Sequence, residues 1–365
     1  MSDDETLDLT DRYAAMRGPR RAEMYHDGRG LEPVYSLDLS RCAGFSDLLR
    51  EMRHTSFGGR RLGEAADVLH EMVVDPRCLV VGTFSGAMTV AKQGLVLCDM
   101  IDHGMLQVVV STGALMTHGL VEAAGMTHFK VPPGLRDRDA FYAGFDRVYD
   151  TLELERNLDD LEAIVDEVLD PWPADEVVSS HALCRRIAEH LRDRLPEGSR
   201  GILLSALEHD VPVYIPAFSD SELGLDFALH NRRRVEAGRR PLTYDPFLDL
   251  EDYTRRVMAA ERLGIFTIGG GVPRNWAQQV SPFIDLIRTR AGDTNKAHRF
   301  RYGVRICPEP VHWGGLSGCT YSEGVSWGKF VPPDEGGRFA EVPADATIAW
   351  PVLTAAVLER LHDET

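Results

Sequence analysis

The segment Thr320-Tyr-Ser-Glu-Gly-Val-Ser-Trp-Gly-Lys329 sets a lysine beside tryptophan and glycine, in a stretch otherwise without positive charge. A lysine held against an indole and apolar walls has its ammonium form disfavoured, and its free amine can attack a carbonyl or imine carbon. Thr320 followed three residues later by Glu323 fits a capping box, which predicts a helix start. The spacing then puts Glu323 and Ser326 about one turn from Lys329, able to hold an amine substrate or relay a proton. On the motif alone, a solvent-facing lysine after a helix is the plainer reading.

A second chemistry is suggested where strand-like runs end. Three end in small or hydroxyl residues, at Thr83-Phe-Ser85-Gly86, Ser111-Thr112-Gly113-Ala114 and Gly269-Gly270-Gly271, and a fourth ends in Phe218-Ser-Asp220. Open α/β sheets bind ligands beyond the carboxyl ends of their strands, where helix N-termini offer free N–H groups to a phosphate. No G-x-G-x-x-G is present, and tight turns alone have the same composition, so the pattern leaves both readings open. Gly82-Thr-Phe-Ser-Gly86 lacks the spacing of a nucleophile elbow. His118 and His128 are ten apart with no H-E-x-x-H, and no residue is assigned to a metal. His209 and His312 stand singly.

These residues need a scaffold, and the chain supplies its pattern. Cys78–Gly82 and Leu106–Val110 are short apolar runs, each followed by a small-residue turn and a helix-like segment, the first reaching about Asp102 and the second starting near Thr117. Repetition of strand, turn and helix is the grammar of a parallel α/β sheet. Further strands are predicted at Val211–Pro216, Gly264–Ile268 and Arg301–Ile306. Helices are predicted at 61–75, 149–169, 179–195, 201–209 and 250–263, near Asn275, and at 347–362 despite Pro351. Val131–Arg138 reads as a loop, and Pro171–Pro173 as a break. Residues 1–34 form a polar N-terminal arm and extension, and 35–365 one catalytic domain.

The 365 residues carry 40 basic and 57 acidic side chains, a net charge of −17. Such a chain does not bind nucleic acid or an anionic membrane through bulk charge, whereas a small cation finds it attractive. No apolar run approaches a membrane span, and the acidic N-terminus lacks the apolar stretch of a signal peptide. Six scattered cysteines with no C-x-x-C pair read as reduced thiols of a cytoplasmic protein. Only Lys92, Lys130, Lys296 and Lys329 are lysines among the 40 bases. Arginine can replace their charge but not a deprotonated amine.

Glu323-Gly-Val-Ser-Trp-Gly-Lys329 closely resembles the lysine motif of deoxyhypusine synthases. Ile215-Pro-Ala-Phe-Ser-Asp220-Ser-Glu-Leu-Gly224, Ile268-Gly-Gly-Gly-Val272 and Ala344-Asp345-Ala346 resemble further segments of that family, in order, over about residues 35–362. The resemblance implies a largely parallel, Rossmann-like NAD-binding α/β fold with helices on both faces, and a homotetramer with active sites between paired subunits. It also implies a reaction: spermidine is oxidised with NAD, diaminopropane leaves, and the aminobutyl group is held as an imine on Lys329 before transfer to an acceptor amine. Residues matching the family's NAD contacts are Ser85, Thr89, Ser111, Thr112, Gly113, Asp220, Gly270, Asp345 and Ala346. Those matching its polyamine contacts are Glu323, Trp327 and the loop Gly314-Gly315-Leu316, with Trp327 expected to wall off the amine.

The departures are specific. Asn275, followed by Trp276, stands where the protein-modifying enzymes have a catalytic histidine. Thr117, Leu225, Trp313 and Leu316 replace acidic residues around the amine, with Asp226 placed to substitute for one of them. Lysine chemistry is kept while the recognition shell changes, as in the bacterial branch similar to deoxyhypusine synthase, some members of which make homospermidine from spermidine and putrescine. The expected function is that transfer. Deoxyhypusine synthesis on a protein lysine and a non-catalytic NAD- or polyamine-binding role are the alternatives.

Overall fold

The computed structural model describes residues 28, 30–292 and 298–364. Most of the N-terminal arm, and Lys296, lie outside them. The chain divides into two units, 1–36 and 37–365. The described part of the first has no helix or strand, with Leu31, Val34 and Tyr35 exposed.

In the second unit, strands β1 (Cys78–Phe84) and β2 (Val108–Ser111) come first. A small group follows, β3 (Phe129–Lys130), β4 (Phe145–Val148) and β5 (Thr151–Leu154), and then β6 (Val213–Tyr214), β7 (Arg262–Ile268), β8 (Phe300–Ile306) and β9 (Arg338–Val342). The main sheet runs β6-β2-β1-β7-β8-β9 and every pairing in it is parallel. The chain builds outward from β1 to one side through β2 and β6. It then returns to the other side of β1 for β7, β8 and β9. Such a reversal opens a crevice at the carboxyl ends of the strands on either side of it, here β1 and β7.

Alternation along the strands feeds two cores. Val80, Phe84, Val109, Phe266, Ile268, Val304 and Ile306 face one, which is covered by helices that include Phe57–Val74, Gly113–Ala123 and Ala346–Asp363. Val81, Val108, Val110, Leu263 and Ile265 face the other, where Tyr253, Val257, Ala277 and Ile284 reach in from helices Phe247–Ala259, Gly271–Gln278 and Val280–Ala291. Apolar residues on both faces are what a parallel strand covered by helices on both sides requires. Between β1 and β7 the hydroxyls of Thr83 and Thr267 meet at 2.9 Å, so the one polar pair there is internally satisfied.

The predicted helix over 149–169 begins later, at Glu155. Thr151–Leu154 is instead the middle strand of the antiparallel sheet β3-β5-β4. The reason is Glu153, whose side chain is turned inward onto two histidines. Its Oε2 lies 2.5 Å from His118 Nδ1 and 3.2 Å from His128 Nε2, and Lys92 Nζ donates to His128 Nδ1 at 2.7 Å. Burial alone would raise the Glu153 carboxyl, but the hydrogen bonds and charges of the two histidines bring it down to about 2. A carboxyl lowered on folding contributes stability above its unfolded value, and that stability is lost as pH falls toward the folded one. Glu153→Gln breaks this buried pairing and is expected to cost about 3 kcal/mol at neutral pH. Denaturant titration at pH 7 and pH 3 checks it: the penalty should shrink at the lower pH, and a pH-independent penalty would contradict the assignment.

Candidate functional site at the carboxyl edge of the sheet

The turns that end β1 and β7 are bonded to each other. Ser85 N and Oγ both donate to Ile268 O at 3.2 Å, and Gly270 N donates to Ser85 Oγ at 3.0 Å. Gly269 has φ +76°, and a Cβ there would lie 2.3 Å from Ser85 Oγ. A Cβ on Gly270 would lie 2.5 Å from Ser317 Cα. Helix Gly271–Gln278 then starts with no side chain capping it at Gly270, so its first-turn N–H groups face the crevice unclaimed by a cap.

The other strand-end residues lie along the same edge. Thr112 caps helix Gly113–Ala123 through Leu115 N, and a Cβ on Gly113 would lie 2.1 Å from Ser221 Oγ. This close approach packs the turn after β2 against the turn carrying Asp220, which is exposed. Beyond β9, Asp345 caps the helix that begins at Ala346. Thr89 is buried and its hydroxyl donates to Leu115 O, and the Thr117 hydroxyl is likewise spent on Gly113 O. Glycine-lined turns, an uncapped helix start and an exposed carboxylate at the β6 end are a donor set that fits a dinucleotide across the switch point.

Lys329 lies beside β8, its main chain at the amino end of that strand. It is 9% exposed, and its Nζ donates to Asn275 Oδ1 at 3.2 Å. Its backbone is fixed at both ends: Lys329 N donates to Gly324 O at 3.0 Å, and Phe300 N at the start of β8 donates to Lys329 O at 2.9 Å. The helix before it, Tyr321–Ser326, opens with the capping box that Thr320 and Glu323 predict, both reciprocal bonds being present. A pocket of about 360 Å³ is lined by Lys329, Asn275, Glu323, Trp327 and Leu316, together with Arg274, Gln278, Gln279, Cys319 and Gly324. Gly314, with φ +72°, and Gly315 turn the chain into Leu316.

The amine is held below the usual lysine range. Burial is the main cause, the neighbouring Arg274 charge adds to it, and Cys319 opposes it. Trp327 lines the pocket but is 71% exposed, so in the single chain the indole is a rim and not the wall expected of it. Glu323 is held in its ionised form, first by the Thr320 backbone bond, and its Oε2 is taken up by the cap.

Lys329, Asn275, Glu323, Trp327 and Leu316 thus share one pocket, and Gly270 packs against Ser317, the residue after Leu316. Thr117, Ser111 and Asp220 do not line it, lying toward β2 and β6. Arg274 and Gln278 were not singled out from the sequence. Their i, i+4 spacing places the two side by side on the helix that also presents Asn275. His118, His128 and Glu153 also bring three potential metal ligands within 4.8 Å. Lys92 Nζ lies 2.7 Å from His128 Nδ1, and Glu153 Oε2 lies between the two imidazoles. This is the pattern of a hydrogen-bonded ion cluster.

The sequence model of the family described as deoxyhypusine synthase matches residues 47–357. A Methanosarcina acetivorans protein named "Probable deoxyhypusine synthase 2" is 31% identical over 345 residues, spanning 93% of this chain and 94% of the relative. A Coxiella burnetii "Deoxyhypusine synthase-like protein" is 29% identical over 333 residues, 90% of each chain. The crystal structure of an Entamoeba histolytica protein, described provisionally as a deoxyhypusine synthase, superposes with a TM-score of 0.57 at 13% identity over 89% of this chain and 97% of that one, a likeness of fold.

Proposed function

The chain belongs to the deoxyhypusine synthase family, and we propose that it is an NAD-dependent aminobutyl transferase of polyamines. In this reading it takes the aminobutyl group of spermidine onto Lys329 and passes it to putrescine, giving homospermidine. The observation that carries it is the buried Lys329 amine, bonded to Asn275 and depressed by burial in a pocket of about 360 Å³.

NAD, when bound, takes a hydride from the donor carbon and later returns one to the product. Ser85, Gly270 and the first turn of helix Gly271–Gln278, with Ser111–Gly113, Asp220 and Asp345–Ala346 along the same edge, are the residues that would hold it. Lys329 attacks the oxidised donor carbon, diaminopropane departs, and the aminobutyl group stays on Nζ as an imine. The acceptor amine then displaces Lys329. Asn275 orients Nζ, and Glu323 at the pocket mouth supplies negative charge for a substrate ammonium. Exposed Leu316 and Trp327 line this mouth. An apolar rim of this kind supports an assembly that closes the site between paired subunits and excludes water.

Among the described residues, no helix is long and apolar enough to cross a membrane. With the six free cysteines this supports a cytoplasmic setting. Incubation with spermidine, putrescine and NAD should yield homospermidine by mass spectrometry. Absence of any new polyamine would contradict the proposal.

A pH prediction follows from the amine. Transfer needs Nζ unprotonated, so activity rises with pH through the Lys329 titration, at a pH below the ordinary lysine value. Asn275→Asp puts a carboxylate where Oδ1 now sits, which favours the ammonium form. The rising limb of kcat/KM should then move up by roughly one pH unit or more. An unmoved limb would separate it from Lys329.

A further inference from the structure

Arg274 is 3% exposed, and its Nε, Nη1 and Nη2 are buried without a hydrogen-bond partner among the described residues. Its guanidinium lies 5.1 Å from the centre of the Tyr321 ring, and the side chain lines the Lys329 pocket. One turn along the same helix, Gln278 lines the pocket too and its Nε2 is also unpartnered.

The nearby carboxylates are already engaged. Glu341 accepts from Arg305 and from Tyr321 N, and Arg305 is further bound to Ser317 O and Cys319 O. Glu323 Oε2 is in the helix cap. A buried cation with no counter-charge costs several kcal/mol, which a bound anion would offset. A planar guanidinium with an amide donor beside it matches a carboxylate.

We propose that Arg274 and Gln278 form an anion subsite of the lysine pocket, so that the enzyme also transfers the aminobutyl group to acceptor amines bearing a carboxylate. The proposal rests on the reading of Lys329 as carrier of that group. The acceptor amine adds to the imine carbon, the bond from that carbon to Lys329 Nζ breaks, and Lys329 is released as the amine. The hydride removed from spermidine returns to that carbon and a solvent proton goes to the acceptor nitrogen, leaving a secondary amine. A plain diamine offers Arg274 no anion to bind, and the effect of Arg274 on the Lys329 amine is common to both acceptors and cancels in their ratio.

Putrescine and ornithine differ by one carboxylate and are the probes. The wild type should convert ornithine to its aminobutyl adduct. In Arg274→Gln the ratio of kcat/KM for ornithine to that for putrescine should fall by about tenfold or more, the scale of one lost charged hydrogen-bond pair. Arg274→Lys should recover part of the ratio. Loss of an unpaired buried charge means that Arg274→Gln should melt no lower than the wild type. Calorimetry without NAD should show ornithine binding weakened by a similar factor in Arg274→Gln. If ornithine neither binds nor reacts, or the ratio is unmoved, the subsite is wrong. If NAD affinity falls instead while the ratio holds, the anion is a cofactor phosphate and the proposal is overturned. Failure of the lysine reading looks different: no transfer to putrescine and no Lys329 adduct, with Arg274-dependent ornithine binding intact.

Discussion

Replacing Lys329 with alanine should lower aminobutyl transfer by about 10⁴-fold or more, the scale of losing a covalent nucleophile, while NAD still binds. The two halves of this result come from the separation of the site. Lys329 is held by Gly324, Phe300 and Asn275 beside β8. The turns after β1, β2, β6, β7 and β9, proposed to hold NAD, take no hydrogen bond from Lys329. Lys329→Arg should fail as badly, because a guanidinium keeps its proton and cannot form the imine. Product analysis with spermidine and putrescine, alongside a fluorescence titration with NAD, checks both halves. Residual transfer within tenfold of wild type would remove Lys329 from the chemistry.

Gly270→Ala should be nearly as damaging for a different reason. The added Cβ would fall 2.5 Å from Ser317 Cα and 2.9 Å from Ser317 Cβ. A backbone atom cannot swing aside as a long side chain can, so the turn after β7 and the turn Leu316–Gly318 must move apart. The second of these turns begins with Leu316, which lines the lysine pocket. A misplacement of about 1 Å between reacting groups costs roughly 100-fold in rate, and kcat/KM should fall by at least that much, with weakened NAD binding. Gly271 supplies a control on the same turn. Its nearest non-local atom would be Ser317 Oγ at 3.9 Å, so only its positive φ of +62° resists substitution, and Gly271→Asn should be far milder. Equal losses at the two positions would argue against the contact as the cause.

The parts of the fold that show through the sequence are those buried on two sides. β1, β2, β7 and β8 lie inside the sheet, and their apolar runs leave little else to read. β9, with Arg338 and Glu341 on an edge strand, carries no such signature. β5 was hidden because Glu153 points inward, and an acidic residue before an amphipathic helix looks like its solvent face. The Thr320–Glu323 box was legible because capping is local. Arg274 was not, since its burial depends on Tyr321, brought beneath it by a segment 47 residues away. Trp327 shows the limit in the other direction: its place beside Lys329 was readable, while its exposure of 71% was not. The amine owes its burial to the packing of helix Gly271–Gln278 and of Gly324 around it.

The central claim is that Lys329 carries the aminobutyl group, and borohydride trapping tests it most directly. Protein incubated with spermidine and NAD, without acceptor, is reduced, digested and analysed by mass spectrometry. The account predicts one aminobutyl group added to the peptide containing Lys329, dependent on both spermidine and NAD. An unmodified Lys329 under conditions of active turnover, or an adduct on Lys92 or Lys130 instead, would contradict it.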